Sequence, residues 1–322
     1  MKRTKFKKIT SYFLVMAIIF TMIPINTAEA ATTGNWQDVG NVAGSFAGGS
    51  GTQGDPYQIS SAEELARLAS LVNAGDAAYN SVYYELTQDI DLSAHEWTPI
   101  GIGTNQFKGH FDGKGYVVSN VNIGTSDTPE TTYIRLGLFG YISRGEIKNT
   151  GVNASIVSSK ASAEIGSLAG ENYHGTISNS YATGYVEGGS SQEVVVGGLV
   201  GMNNYGTISN SFTTATVKGG SGAYVGGFLG RYFGGTITNV YYNSDQASEG
   251  IGFNNNYTAT AKTTAEMQSQ AFVDTLNLNR SGHPDWNAWE AVVNDYPALV
   301  TPTPATALNV TVSPGTATGS TK

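Results

Sequence analysis

Between Leu136 and Asp245 the apolar positions follow neither helical spacing nor long simple alternation; they recur at a period near thirty residues. "LGLFGYISRGEIKNTGVNASI" begins at Leu136, "GSLAGENYHGTISNSYATGYV" at Gly166, "GGLVGMNNYGTISNSFTTATV" at Gly197 and "GGFLGRYFGGTITNVYYNSD" at Gly226. The glycine closing the first motif falls at Gly140, Gly170, Gly201 and Gly230, with spacings of 30, 31 and 29. A second glycine follows at Gly145, Gly175, Gly206 and Gly235. An isoleucine column follows at Ile147, Ile177, Ile208 and Ile237, then an asparagine column at Asn149, Asn179, Asn210 and Asn239. A helical solenoid, a propeller or a β-solenoid can carry such a repeat. Glycine-rich runs with β-branched and aromatic residues disfavour helix, and WD and kelch signatures are absent. The pattern therefore predicts a β-solenoid, each copy one coil of short strands joined by turns.

In that arrangement equivalent residues stack at about the 4.8 Å strand spacing. The isoleucines form one interior ladder, and Leu168, Leu199 and Phe228 a second. The asparagines sit at a turn, because Asn tolerates the left-handed conformation and its amide can bond the next Asn in the stack. Tyr181, Phe212 and Tyr241 make an aromatic ladder two residues further on.

An open coil end exposes apolar core and unpaired strand edges, so it needs a cover. Two segments read as capping helices. Ser61 with Glu64 forms a capping box, with Leu65, Leu68, Ala69 and Val72 on one face and Gly75 as the stop. Thr263 with Glu266 repeats the signal, with Met267, Ala271 and Phe272 on one face. Both helices are expected to lie against the stack as caps.

The chain has 322 residues, 41 glycines, 18 tyrosines, no cysteine and 13% charged residues, a β-rich composition without disulfides. Residues 1–30 read as a signal peptide: a basic start, the apolar run "YFLVMAIIFTMIPIN" and the "AEA" site, with cleavage after Ala30. Residues 31–48 form a lead-in, 49–300 the solenoid with repeats over about 136–245 and a C-terminal cap over about 261–299. Residues 301–322 read as a Pro/Thr linker followed either by the opening strand of a truncated immunoglobulin-like domain or by a free tail, the first being the expectation. Beyond Ala30 there are 12 basic and 24 acidic residues, a net charge of −12. That balance argues against nucleic acid and anionic membranes as partners, and no second apolar run predicts a membrane span.

These residues carry a family resemblance. "GGLVGMNNYGTISNSFTTATV" resembles the GLUG motif of bacterial extracellular proteins. "GSGTQGDPYQISSAEELARLASLVNAG", "YYELTQDIDLS", "WTPIG", "FKGHFDGKGYVVSNVNI" and "LGLFG" resemble its lead-in, and "TTAEMQSQAFVDTLN", "WNAWE" and "NDYPAL" its closing segment. The resemblance covers about 49–300. It implies a right-handed parallel β-helix on secreted or surface-attached proteins, some of them metallopeptidases that cleave immunoglobulin A. The expected fold is all-β: a single right-handed parallel β-helix with short capping α-helices at both ends.

Chemistry is sparse. "HEWTP" gives His95 and Glu96 but no second histidine for H-E-x-x-H, and no G-x-S-x-G elbow exists. Asp89 and Asp91 alternate on a strand and face one side, so they are weak candidates for calcium or for acid and base, although the lead-in pattern reads them as structural. Glu171, beside Tyr173 and His174, is a looser carboxylate candidate. One block escapes the structural logic. Between the two glycines of each copy the residues read "YISR", "ENYH", "MNNY" and "RYFG", as expected of a loop edge facing outward. Tyr173, His174, Tyr205, Tyr232 and Phe233 are the ligand candidates there, since exposed aromatics stack on sugars and anchor protein partners. The expected function is a monomeric, exported, non-catalytic, adhesin-like module for a glycan or a host or matrix protein, with no resident cofactor. The rival expectations are a polysaccharide-processing enzyme and a plain structural stalk.

Overall fold

The computed structural model describes residues 34–38, 40–253 and 257–303. The expected leader and the expected immunoglobulin-like strand lie outside them. The protein is mostly β: parallel strands stack into a β-solenoid of three sheets with 13, five and four strands, and a short antiparallel pair follows.

Each coil of the repeat visits the sheets in one order. The four-stranded sheet holds Arg135–Leu136, Glu164–Gly166, Val195–Gly197 and Tyr224–Gly226. A sharp reversal leads to the five-stranded sheet of Phe139–Ser143, Ala169–Tyr173, Val200–Asn204, Leu229–Tyr232 and Ile251–Phe253. A left-handed corner then leads into the large sheet, and the asparagine corner bends the chain within it. The register confirms the columns: Ile147, Ile177, Ile208 and Ile237 pair in sequence. The first three are fully buried, as are Leu168, Leu199 and Phe228. Ile237 is half-buried at the last full coil.

The reversal explains the glycines. A Cβ on Gly170 would lie 2.7 Å from the Leu136 nitrogen, and one on Gly201 2.6 Å from the Gly170 oxygen and the Ile165 nitrogen. The outer faces of two strands therefore meet backbone to backbone, where no side chain fits.

Helix α1 (Ala62–Asn73) carries the predicted face, and Leu65, Leu68, Ala69 and Val72 join the same core as the isoleucine ladder. Its N-cap Ser61 accepts from the Glu64 N–H, but the Glu64 carboxylate turns to the Ser60 N–H, so the box is only half closed at Ser61. The C-terminal segment holds α2 (Thr264–Met267), where the Thr263–Glu266 box is complete, and α3 (Gln270–Asn279), newly capped by Ser269. This restart changes the helical phase: Phe272, Val273 and Leu276 are buried and Ala271 is exposed. Helix α1 joins the stack's core, while the C-terminal helices, expected as a cap on its end, lie along its side instead. The C-terminal pair covers its flank, packing with Trp289 over the Tyr181–Phe212–Tyr241 row.

The flank is stitched at the asparagine corner. Asn149, Asn179, Asn210 and Asn239 all take left-handed φ, between 43° and 54°. The Asn179 amide donates to Asn149 Oδ1, and Asn210 to Asn179 Oδ1, each at 2.8 Å. The amides of Asn149, Asn179 and Asn210 also donate to the covering segment, at the Asp285, Asn287 and Leu276 carbonyls respectively. Trp289 Nε1 donates back to Asn179 Oδ1 at 2.7 Å. Asn239 shares the backbone but not the network; it is exposed, beyond the covered stretch.

Candidate functional site

The variable block is strand, not loop, and this sorts the candidates. Its second position points inward. Ile142, Asn172 and Asn203 are fully buried, and Tyr232 is only 3% exposed. Tyr232 is therefore a core residue: its hydroxyl donates to the Gly235 carbonyl at 2.8 Å, and the expectation that it faces a ligand is corrected. Asn172 and Asn203 fill the same interior column, where Asn172 Nδ2 donates a hydrogen bond to Asn203 Oδ1 at 2.9 Å.

The third and fourth positions point outward and build a ridge. The fourth is the left-handed corner, with φ of 59° at Arg144, 52° at His174 and 57° at Tyr205. Tyr205 is 59% exposed and Phe233 42% exposed. His174 is exposed and Tyr173 half-buried. The rings follow one another along the stack: Tyr141 to Tyr173 at 6.3 Å, Tyr173 to His174 at 4.4 Å, and His174 parallel to Tyr205 at 5.5 Å. The Tyr205 ring then leans over the next corner, Gly234, where a Cβ would come within 2.9 Å of it. Tyr173, His174, Tyr205 and Phe233 thus share one face, and Arg144, which the aromatic signal passed over, belongs with them. It was visible as the fourth letter of "YISR".

Beside the ridge, the first position of each strand faces the four-stranded sheet across the reversal. Arg135 Nε lies 2.6 Å from Glu171 Oε2 and 2.9 Å from Glu164 Oε2. Its guanidinium covers the Tyr141 ring at 4.1 Å. Glu171 Oε1 accepts from Asn204 Nδ2 at 2.8 Å. Glu171 is 1% exposed with both oxygens engaged, so it is a structural anion rather than an accessible acid. Burial pushes Glu164 up to about 7, against the pull of Arg135 and with the repulsion of Glu171. The Arg135 Nε–H bonds to Glu171, which leaves Glu164 in ionic contact without that hydrogen bond.

Two coils beyond Glu164 and Glu171, the same columns hold Tyr224 and Arg231. The Arg231 guanidinium lies 4.2 Å from the Phe233 ring centre, 5.2 Å from that of Phe253 and 5.4 Å from that of Tyr224. Arg231 Nε is buried without a hydrogen-bond partner.

The remaining candidates lie elsewhere and are structurally occupied. Asp89 Oδ1 accepts from the Val117 N–H, and Asp91 Oδ1 from the Ser93 N–H and Asn120 Nδ2, at 2.8 to 2.9 Å. The Asn120 and Ser93 hydrogen bonds hold the Asp91 carboxyl below the usual range. Among the described residues no group of three or more His, Asp and Glu side chains is placed to hold a metal ion.

No family model matches the chain. Over 142 residues, 42% of this chain, it is 36% identical to a provisionally named Gly-rich membrane protein of Evansella cellulosilytica, covering 15% of that protein. Over 154 residues, 44% of this chain, it is 35% identical to Halomucin of Haloquadratum walsbyi, covering 2% of it. The chain therefore spans only a small part of either relative's length. A provisionally named immunoglobulin A1 protease from Bacteroides ovatus superposes with a TM-score of 0.47 at 18% identity, over 81% of this chain and 98% of that one. Among the described residues no helix is long and apolar enough to cross a membrane.

Proposed function

We propose that this chain is an exported, non-catalytic β-solenoid module of GLUG type, a surface or extracellular scaffold whose ridge binds a glycan or protein partner. Its similarity to parts of a Gly-rich membrane protein and of Halomucin supports a place at the cell surface. One observation carries the binding role: Arg144, His174 and Tyr205 hold left-handed backbone while their side chains stand exposed in register. A left-handed L-residue other than Gly or Asn costs roughly 1–2 kcal/mol. Such strain is retained where a side chain is needed. The asparagine corner of the same coils shows what this backbone carries when only stacking is at stake.

The test is a glycan array with a matrix-protein panel, read for the wild type, Tyr205→Ala and Phe233→Ala. Truncating an aromatic anchor is expected to cost about 2 kcal/mol, some thirtyfold in affinity, with the circular dichroism unchanged. Absence of binding across the whole panel would leave a plain stalk as the better reading.

A further inference from the structure

We infer that Arg231, with Phe233, Phe253 and Tyr224 around it, is the anion subsite of the ridge, and that the ligand is a uronic-acid-containing polysaccharide. This rests on the ridge being a glycan-binding face and adds the charge of the glycan.

The two arginines of these columns make an internal comparison. The outward column of the five-stranded sheet runs Tyr141, Glu171, Met202, Arg231, Phe253. That of the four-stranded sheet runs Arg135, Glu164, Val195, Tyr224. Arg135 meets two carboxylates one rung away. An uncharged rung, Val195 and Met202, separates the backbone of those carboxylates from that of Arg231 by about 10 Å of stacked strand, and Arg231 pulls on Glu164 more weakly than Arg135 does. Among the described residues Arg231 makes no ion pair, in a chain with twice as many acids as bases beyond Ala30. A half-buried cation whose interacting acid, Glu164, stays outside ion-pair distance and is itself pushed up to about 7 carries a desolvation cost that a bound anion relieves.

The surroundings narrow the ligand. The Phe233 and Phe253 rings beside the guanidinium are 42% and 38% exposed, apolar faces of the kind that pack on a pyranose. A guanidinium fork matches the two oxygens of a carboxylate. A sugar ring with its own carboxylate supplies both partners at one subsite.

Calorimetric titration of the full chain separates the claims. The probes are tetragalacturonate, its methyl ester and a sulfated neutral tetrasaccharide, each against wild type, Arg231→Gln and Tyr205→Ala. Tetragalacturonate is expected to bind wild type about tenfold more tightly than the ester, the scale of one charge-assisted contact. Arg231→Gln should remove that tenfold difference and flatten the salt dependence, so that acid and ester bind alike. Equal affinity for acid and ester, or wild-type affinity in Arg231→Gln, overturns the subsite. Preference for the sulfated probe, lost in Arg231→Gln, overturns the carboxylate assignment. If only uncharged glycans bind, and Tyr205→Ala abolishes it, the ridge stands and this inference falls; if no glycan binds at all, this inference falls and the ridge is left to the matrix-protein panel.

Discussion

Replacing Asn179 tests whether the amide column holds the covering segment to the solenoid. Asn179 donates to Asn149 Oδ1 and the Asn287 carbonyl, and accepts from Asn210 Nδ2 and Trp289 Nε1, at 2.7 to 2.9 Å. Asn179→Gly keeps the left-handed backbone and deletes all four bonds. Asn210 retains the Leu276 carbonyl as acceptor, and Asn149 Oδ1 retains the Asn287 N–H. Trp289 Nε1 and the Asn287 carbonyl lose these partners. One stranded buried donor costs roughly 1–3 kcal/mol and each of the three other lost bonds about 1, so the expected loss is about 4–6 kcal/mol. Asn179→Ala should cost about 1 kcal/mol more, through the left-handed φ of 48°. The control is Asn239, with a φ of 54° and an exposed side chain outside the network. Asn239→Gly should stay within about 0.5 kcal/mol of wild type. Urea unfolding followed by tryptophan fluorescence reads these differences, because Trp289 sits in the covering segment. Equal costs for Asn179→Gly and Asn239→Gly would refute the reasoning.

Gly201→Ala places a Cβ 2.6 Å from two backbone atoms, so it should lose about 3 kcal/mol or more, while Gly54→Ala, with open space around it, stays neutral; thermal melting reads both, and a wild-type Gly201→Ala would mean the sheets can part. Glu164 titrates at about 7 in the fold, against about 4.3 in an unfolded chain. Between those values the folded state holds the extra proton, so this group's contribution to stability falls as pH rises. Glu164→Gln should match wild type near pH 4 and exceed it above about pH 7, by up to about 3 kcal/mol; parallel pH–stability curves would contradict the buried position.

The coil was legible because stacking forces equivalent residues into register, so the Gly, Ile and Asn columns write the architecture into the sequence. The variable block misled for a related reason. Sequence shows that a column differs between copies, not which way it points. Ile142, Asn172, Asn203 and Tyr232 differ freely and are all interior, because amide–amide bonding, aliphatic packing and a Tyr hydroxyl on a carbonyl each satisfy the same place. The flank position of α3 was hidden for another reason. A capping signal fixes where a helix starts but not which surface it covers, and that surface is set by Phe272 and Trp289 meeting Phe212. Arg231 was overlooked because its meaning depends on which acids come within ion-pair distance of it, and spacing along the chain does not show that.

The two left-handed corners allow a last prediction in which stability and function should separate. Both bend the same coils with φ near 50°, yet one is filled by Asn and covered, the other by Arg144, His174 and Tyr205 and exposed. If the second corner served only to turn the chain, Asn would suit it better. Tyr205→Asn removes a side chain that is 59% exposed and contributes little burial. It also puts a residue tolerant of left-handed φ where an aromatic one is strained, a gain of up to about 1 kcal/mol. The variant should therefore unfold at the same or higher urea concentration while losing ligand binding, the trade expected where strain is kept for function. A marked loss of stability in Tyr205→Asn would show that the ring's contacts with His174 and Gly234 hold the stack together, and would make the ridge a packing device.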